Sequence, residues 1–502
     1  MPDTRRFIGF DLGAESGRCI VATLNEGRVA LTEVHRFPTH TVQDETGLHW
    51  NILAITREIE EGLTRARKAF GPDFEGVAAD TWGVDYALVD SEGRVLGRPY
   101  HYRDSRTDGV MKRAFAIVPK DRLYATTGTQ FAQFNTVFQL LAERQGDVSL
   151  LAIADTMLMM PDYLNFFLSG VKRAEYTIAS TTGLADPRSR AWSWDLIDAF
   201  GIPRRIFPHM TEPGTMLGTL RPDLAQRTGL NPRTPVIASA GHDTASAVAS
   251  VPAVGERWAY LSSGTWSLLG VELKEPVLSD AAMKHNFTNE GGVRGTTRFL
   301  KNIIGLWPVQ ECRRYWLEHG QEFTYPQLGE LARQEGCVGA WVDLGDPRFL
   351  KPGEMPLKIG SYLRETGQAV KENVGFTIGV VLESLAFSYR IAVRDLEQVT
   401  GRKIEKLHAV GGGIQNVLLT QFTADATGLP VYAGPVEGTI VGNIGVQAVA
   451  TGAVADAAAW RAVVADSFGL QKYVPAHSEY FVNNEHRYRE ILRDSRESRG
   501  SP

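Results

Sequence analysis

Phe7-Ile8-Gly9-Phe10-Asp11-Leu12-Gly13-Ala14-Glu15-Ser16-Gly17-Arg18 is the stretch whose reading decides the fold. Phe7 to Asp11 reads as a strand, and Leu12 to Arg18, rich in small residues, as a turn. Cys19 to Leu24 is a second strand, Asn25-Glu26-Gly27 a tight turn, and Arg28 to Val34 a third strand. An acid that ends a buried strand ahead of a small-residue turn suits phosphate binding. Backbone N–H groups and Ser16 can face phosphate oxygens, and Asp11 can hold magnesium through water. A plain hairpin is the alternative. The element after the turn is a strand, so neither a Walker loop nor a dinucleotide fingerprint applies.

The plan recurs. Arg257 to Leu261 and Ser262-Ser263-Gly264-Thr265-Trp266-Ser267 to Val271 again read strand, small polar turn, strand. A repeated unit is informative. Two such loops, one opening each half, predict duplicated domains that face one nucleotide across a cleft. A chain of 502 residues is also too long for one core.

Between the two loops lies Ala240-Gly241-His242-Asp243-Thr244. Thr234 to Ser239 precedes it as a strand, and Ala245 to Ala249 follows as a small-residue helix start. A carboxylate at a strand-to-helix junction is exposed on one side and held by backbone on the other, which suits a general base. The plainer reading makes Asp243 a helix N-cap. Upstream, Leu53 to Phe70 has the three-to-four spacing of an amphipathic helix, and Pro161 to Gly170 a helix with a glycine stop. Val77 to Asp90 reads as a strand pair around Trp82-Gly83. There a sugar could stack on the ring and touch backbone, or Trp82 could be a core residue at a bend. Tyr102 to Gly109 is either polyol-pocket lining or a solvated loop. Glu175 to Gly183 is polar and threonine-rich and carries no assigned chemistry.

Downstream, the amides of Asn302 and Gln310 suit a sugar or a nucleotide, or a loop-and-cap role. Val370 to Val399 reads as a long helix. Lys406 to Val410 reads as a buried strand, and Gly411-Gly412-Gly413 then lets a flat ligand lie on bare backbone. Gly442 to Thr451 is a small-residue helix, and the charged residues from Asn483 form a terminal helix.

Composition excludes several classes. Hydrophobic content of 43% and charged content of 22% are those of a globular chain, and a net charge of −5 with scattered basic residues gives nucleic acid no surface. Three dispersed cysteines suit neither a disulfide framework nor a zinc site and fit a reducing compartment. No signal-peptide core opens the chain, and no apolar run of membrane-spanning length is expected.

Seven motifs occur in order: Asp11-Leu12-Gly13-Ala14-x-Ser16-Gly17-Arg18, Asp80-Thr81-Trp82-Gly83-Val84-Asp85, Tyr102-Arg103-Asp104, Gly241-His242-Asp243-Thr244, Ser262 to Ser267, Asn289-Glu290-Gly291-Gly292, and Gly411-Gly412-Gly413-x-Gln415-Asn416. Together they resemble the FGGY carbohydrate kinases over nearly the whole chain. The resemblance implies an α/β fold of two actin-like, ribonuclease H-like domains with an inter-domain cleft. It implies residues 1–245 for the sugar and first phosphate loop, 246–482 for the nucleotide, and a charged tail at 483–502. It implies ATP-dependent phosphorylation of a ketose, L-rhamnulose foremost, with L-fuculose or a xylulose as alternatives. A non-catalytic sensor on the same fold is a further alternative, which Asp243 disfavours. Carried over residue by residue, Asp243 is the base. Gly83, His242, Asp243, Thr244 and Asn302 bind the sugar. Ala14, Ser16, Gly17, Arg18, Thr265, Gln310, Gly411 and Gly412 bind ATP, and Asp11 supports Mg2+ through water. The implied partners are the sugar and ATP, with no nucleic acid and no membrane, in a cytoplasmic monomer or homodimer. One position departs: Glu15 stands where related kinases mostly carry serine or threonine, and its charge should weaken ATP affinity.

Overall fold

The computed structural model describes residues 4–144 and 149–498. By contacts the chain divides differently from two consecutive halves. One unit comprises Met1–Pro252, Glu272–Phe299 and Gly438–Gly469; the other comprises Ala253–Val271, Leu300–Glu437 and Leu470–Pro502.

In the first unit, Arg5–Leu12, Ser16–Asn25 and Arg28–Pro38 form an antiparallel meander. Gly76–Thr81 joins Arg5–Leu12 in parallel, and Pro235–Ala238 joins Gly76–Thr81 in parallel. Thr215–Thr219 closes the edge. With that edge strand set aside, the order third, second, first, fourth, fifth is the expected ribonuclease H-like plan. Alternation along Arg5–Leu12 explains the two faces. Ile8, Phe10 and Leu12 pack with Ile55, Ile59 and Leu63 of the helix Ile52–Phe70. Phe7 packs instead with Ile440, Val441 and Ile444 of the helix Gly438–Ala450, which is why that late segment belongs to the first unit.

Two local expectations change. The turn predicted over Leu12 to Arg18 shrinks to Gly13-Ala14-Glu15, because Leu12 pairs with Gly17 and Asp11 with Arg18. Gly17 sits in the strand because a Cβ there would strike the Phe37 ring. The strand pair around Trp82-Gly83 is not a pair: Gly76–Thr81 stays in the main sheet, while Tyr86–Val89 leaves it to pair with Thr156–Met159. Val84, with φ of 68°, makes the departure.

The second unit repeats the plan. Trp258–Ser263 pairs antiparallel with Trp266–Leu273 and parallel with Lys406–Val410, which pairs parallel with Val431–Ala433. Gln471–Tyr473 closes the edge. The helix Val374–Thr400 corrects the expectation of no membrane-length apolar run. It is long and apolar enough to span a membrane, yet 89% of its most apolar window is buried within the fold. The charged residues from Asn483 belong to the helix Ser478–Ser498, whose Phe481 and Tyr488 are buried against Phe387.

Candidate active site

Three parallel strands of the first unit, Arg5–Leu12, Gly76–Thr81 and Pro235–Ala238, end at one edge of the sheet. Ligands of open α/β sheets bind at this carboxyl edge. Strand alternation decides which side chains arrive there. Ile8, Phe10, Val77 and Ala79 face the core under Ile52–Phe70, so Asp11 and Asp80, register partners, face the other way. The third strand runs out into Gly241-His242-Asp243, and the Thr81 N–H donates to the Gly241 carbonyl at 2.9 Å. Asp11, Asp80 and Asp243 come close enough to feel one another's charge.

Asp243 is the first residue of the helix Asp243–Ala249, and His242 holds the N-cap position. The Asp243 carboxylate turns back on its neighbour: Oδ1 accepts the Thr244 N–H at 2.5 Å and the Thr244 hydroxyl at 3.1 Å. Its side chain stays 32% exposed, so one face is open. Desolvation by the surrounding protein raises its pKa above the ordinary carboxylate value; His242 opposes the rise and Asp11 adds to it. The raised direction is the one a base needs in order to hold a proton during turnover.

Asp80 is fully buried. Its Oδ2 accepts from Asn443 Nδ2 at 2.6 Å, and its Oδ1 is buried with no hydrogen-bond partner. Burial first, and then the charge of Asp11, push its pKa well above the usual range. Asn443 is itself held, since Gln447 Nε2 donates to its Oδ1 at 2.8 Å. Asp11 takes a 2.6 Å ion pair from Arg18 Nη2 across the hairpin. The turn is laced shut by Gly13 N–H to Ser16 O at 3.0 Å and by the Thr39 hydroxyl to Gly13 O at 2.7 Å. Glu15 is exposed at its tip.

Gly83 lies beside His242: a Cβ there would come 3.3 Å from Nε2. Trp82 is unavailable for stacking. It is 6% exposed, its ring centroid lies 4.1 Å from that of Trp50, and its Nε1 donates to Asp85 at 3.0 Å. Asp104 is likewise committed, accepting the Leu48 and Arg106 N–H groups, so the loop Tyr102 to Gly109 is in part structural.

Glu175 and Thr177, from the stretch without assigned chemistry, hold the loop Gly241-His242. Glu175 Oε2 accepts the Gly241 N–H at 2.9 Å and the Thr177 hydroxyl at 2.5 Å, and Thr177 Oγ1 accepts the His242 N–H at 3.2 Å. Burial pushes the Glu175 pKa up to about 7, against the lowering effect of these bonds. The only sequence signal was a carboxylate among threonines.

In the second unit the same edge carries glycines. Gly411 adopts φ of 90°, where a Cβ would meet Ser263 O at 2.8 Å, and a Cβ on Gly413 would strike the Ser263 hydroxyl. Gly412 faces open space. Thr265 sits in the tight turn closed by Gly264 N–H to Trp266 O at 2.9 Å, and Gln310 Nε2 donates to its hydroxyl at 3.2 Å. Asn302 lies within the strand Thr297–Ile304, not in a loop. It and the nucleotide candidates Thr265, Gln310, Gly411 and Gly412 belong to the second unit. Asp11, Ala14, Ser16, Gly17, Arg18, Gly83, His242, Asp243 and Thr244 belong to the first.

Comparisons with known proteins agree with this fold. The N-terminal domain model of the FGGY family of carbohydrate kinases matches residues 6–250, and the C-terminal domain model matches residues 259–451. A rhamnulokinase of Bacteroides thetaiotaomicron is 41% identical over 473 residues, covering 94% of this chain and 96% of its own. A rhamnulokinase of Enterococcus faecalis is 38% identical over 496 residues, covering 98% of each. Among solved structures, gluconate kinase from Lactobacillus acidophilus superposes with a TM-score of 0.79 at 14% identity over 98% of each chain. Xylulose kinase from Rhodospirillum rubrum does so with 0.78 at 19% identity, over 98% of this chain and 99% of its own. At such identities these two likenesses speak for the fold alone.

Proposed function

The chain belongs to the FGGY family of carbohydrate kinases, and from that premise we propose that it transfers the γ-phosphoryl group of ATP to the 1-hydroxyl of L-rhamnulose. The products are L-rhamnulose 1-phosphate and ADP. Relatives named rhamnulokinase at 38–41% identity over nearly the full length support this substrate.

The observation that carries the chemistry is Asp243, one-third open, braced by Thr244 and sitting 3.4 Å from His242 Nε2. Its carboxylate takes the hydroxyl proton as the sugar oxygen bonds to the γ-phosphorus. The bond from phosphorus to the bridging oxygen breaks, and ADP leaves with the electron pair. Phosphoryl transfer depends on alignment and charge neutralisation. In this reading Arg18, Ser16 and the backbone of Ala14 and Gly17 meet phosphate oxygens, as does Thr265. Gln310, Gly411 and Gly412 receive the rest of the nucleotide. Gly83, His242, Thr244 and Asn302 bind the sugar.

The carboxylate edge also fits Mg2+. Hard oxygen ligands suit that ion, and the partnerless buried oxygen of Asp80 beside Asp11 is an acceptor in want of a donor or a cation. Among the described residues no three His, Cys, Asp or Glu side chains stand ready to grip a metal directly. In this reading Asp11 would hold the ion through water, and the ion, when bound, would neutralise phosphate charge. A cytoplasmic setting suits three free thiols.

The test is a coupled ADP-release assay over a panel of ketoses. L-rhamnulose should give the highest kcat/KM; a higher value for L-fuculose or a xylulose would overturn the substrate. Asp243→Asn should lower kcat by about a hundredfold to ten-thousandfold while ATP still binds. Near wild-type turnover in that variant would remove Asp243 from the chemistry.

A further inference from the structure

The motif Asn289-Glu290-Gly291-Gly292 has no part in the scheme above, yet it reaches His242. Arg298, fully buried, donates through Nη2 to Glu290 Oε2 at 2.9 Å and through Nε to the Gly291 carbonyl at 2.8 Å. Glu290 Oε2 lies 3.1 Å from His242 Nδ1 and can accept its N–H; Arg298 Nη2, a donor only, lies 3.1 Å from the same nitrogen, and its shorter bond, 2.9 Å, goes to Glu290 Oε2. The other ring nitrogen, Nε2, points to Asp243 and to Gly83. The imidazole thus stands between a buried ion pair and the acceptor side of the site.

The arrangement is anchored from beneath. The Gly291 N–H donates to the Ser180 hydroxyl at 2.8 Å, and a Cβ on Gly291 would crowd the Tyr176 ring. The hydroxyl of Thr177, the next residue after Tyr176, accepts the His242 N–H. One short segment therefore places both the histidine and the strand carrying its partner. A buried ion pair is a poor source of stability, since apolar residues of similar volume do as well or better. Arg298 Nη1 is moreover buried without a partner, a further cost. Such a pair points to a role other than holding the core together.

We propose that Glu290 and Arg298 are positioning residues for His242. Glu290 accepts the Nδ1–H, Arg298 keeps Glu290 ionised and fixes the place of its Oε2, and Nε2 keeps its lone pair to accept a ketose hydroxyl next to the reacting one. The hydrogen bond at one ring nitrogen sets the tautomer and so the role of the other. Glu290 has its pKa lowered in spite of burial, because His242 and Arg298 outweigh the desolvation.

The proposal rests on the ketose lying against His242, but its decisive test needs neither sugar nor turnover. Long-range proton–nitrogen spectra of histidine-labelled wild-type protein, with His242 assigned by its loss in His242→Gln, should show the Nδ1–H tautomer. An Nε2–H tautomer in wild type overturns the proposal, whatever the variants do. Glu290→Gln, whose amide can donate to Nδ1, should shift the ring to Nε2–H and raise the KM for the ketose about ten- to a hundredfold, with the Kd for ATP unchanged. Arg298→Lys should retain more of the ketose affinity than Arg298→Met. Melting temperatures that fall while the tautomer and the KM stay as in wild type would mark the pair as structural and defeat the proposal. Failure of Asp243→Asn to lose activity would instead defeat the base assignment and leave the tautomer result standing.

Discussion

The same edge of the same strand plan carries carboxylates in one unit and glycines in the other. In the first unit, Asp11, Asp80 and Asp243 follow or end the three parallel strands. In the second, Gly411, Gly412 and Gly413 follow the strand Lys406–Val410, and Gly264-Thr265 follows Trp258–Ser263. The backbone frame is common; the side chains divide the labour. Acids crowded together raise one another's pKa and call for a proton or a cation. Glycines remove side chains so that a ligand can approach backbone. The first edge is therefore suited to proton and metal chemistry and the second to holding a large ligand.

Substitutions separate the two edges. Asp80→Asn should lower kcat at fixed metal by about tenfold or more and weaken Mn2+ binding measured by water relaxation, if the partnerless Asp80 oxygen helps to hold the ion. The melting temperature at neutral pH should hold or rise, since an acid with a raised pKa destabilises the fold as pH rises. Unchanged metal affinity would make Asp80 a packing residue. On the glycine edge, Gly412→Leu should raise the KM for ATP about tenfold with no change in melting temperature, because its Cβ direction is open. Gly413→Ala should do the reverse and melt earlier, because Ser263 occupies that space. Equal effects of the two on ATP would dissolve the contrast.

A smaller effect follows from Glu175. Its pKa rises from 4.5 to about 7 on folding. The folded chain then binds more protons between those values, so this residue's contribution is full below pH 4.5 and is lost as pH rises through about 7. Glu175→Gln should flatten the fall of melting temperature across that window; an unaltered slope would show that other groups govern it. The least change is expected from Glu15→Ser. Glu15 is exposed at the turn, so removing its charge should lower the KM for ATP only about two- to threefold, and less at high salt. No change at low salt would mean that Glu15 does not face the phosphates.

Much of this was legible along the chain. The helix expected over Leu53 to Phe70 is Ile52–Phe70, and both hairpins lie where turn residues interrupt apolar runs. Asp243 stands at the strand-to-helix junction where it was expected. Readings stayed open or failed where distant packing decides. Trp82 sits next to glycine as a sugar-stacking ring would, but Trp50 and Asp85 occupy it. Val374–Thr400 has the composition of a membrane span because a core helix needs apolar residues on every face.

Sequence alone determined the repeated strand–turn–strand plan, the acids that end its strands and the glycines opposite them, because periodicity and turn chemistry act over a few residues. Tertiary structure alone decided that one oxygen of Asp80 lacks a partner and which side chains steady these acids. Asn443 reaches Asp80 across 363 positions, Glu175 reaches Gly241 across 66, and Thr177 reaches His242 across 65. Hydrogen bonds depend on separation in space, and local spacing holds no record of which remote segment the core will bring alongside.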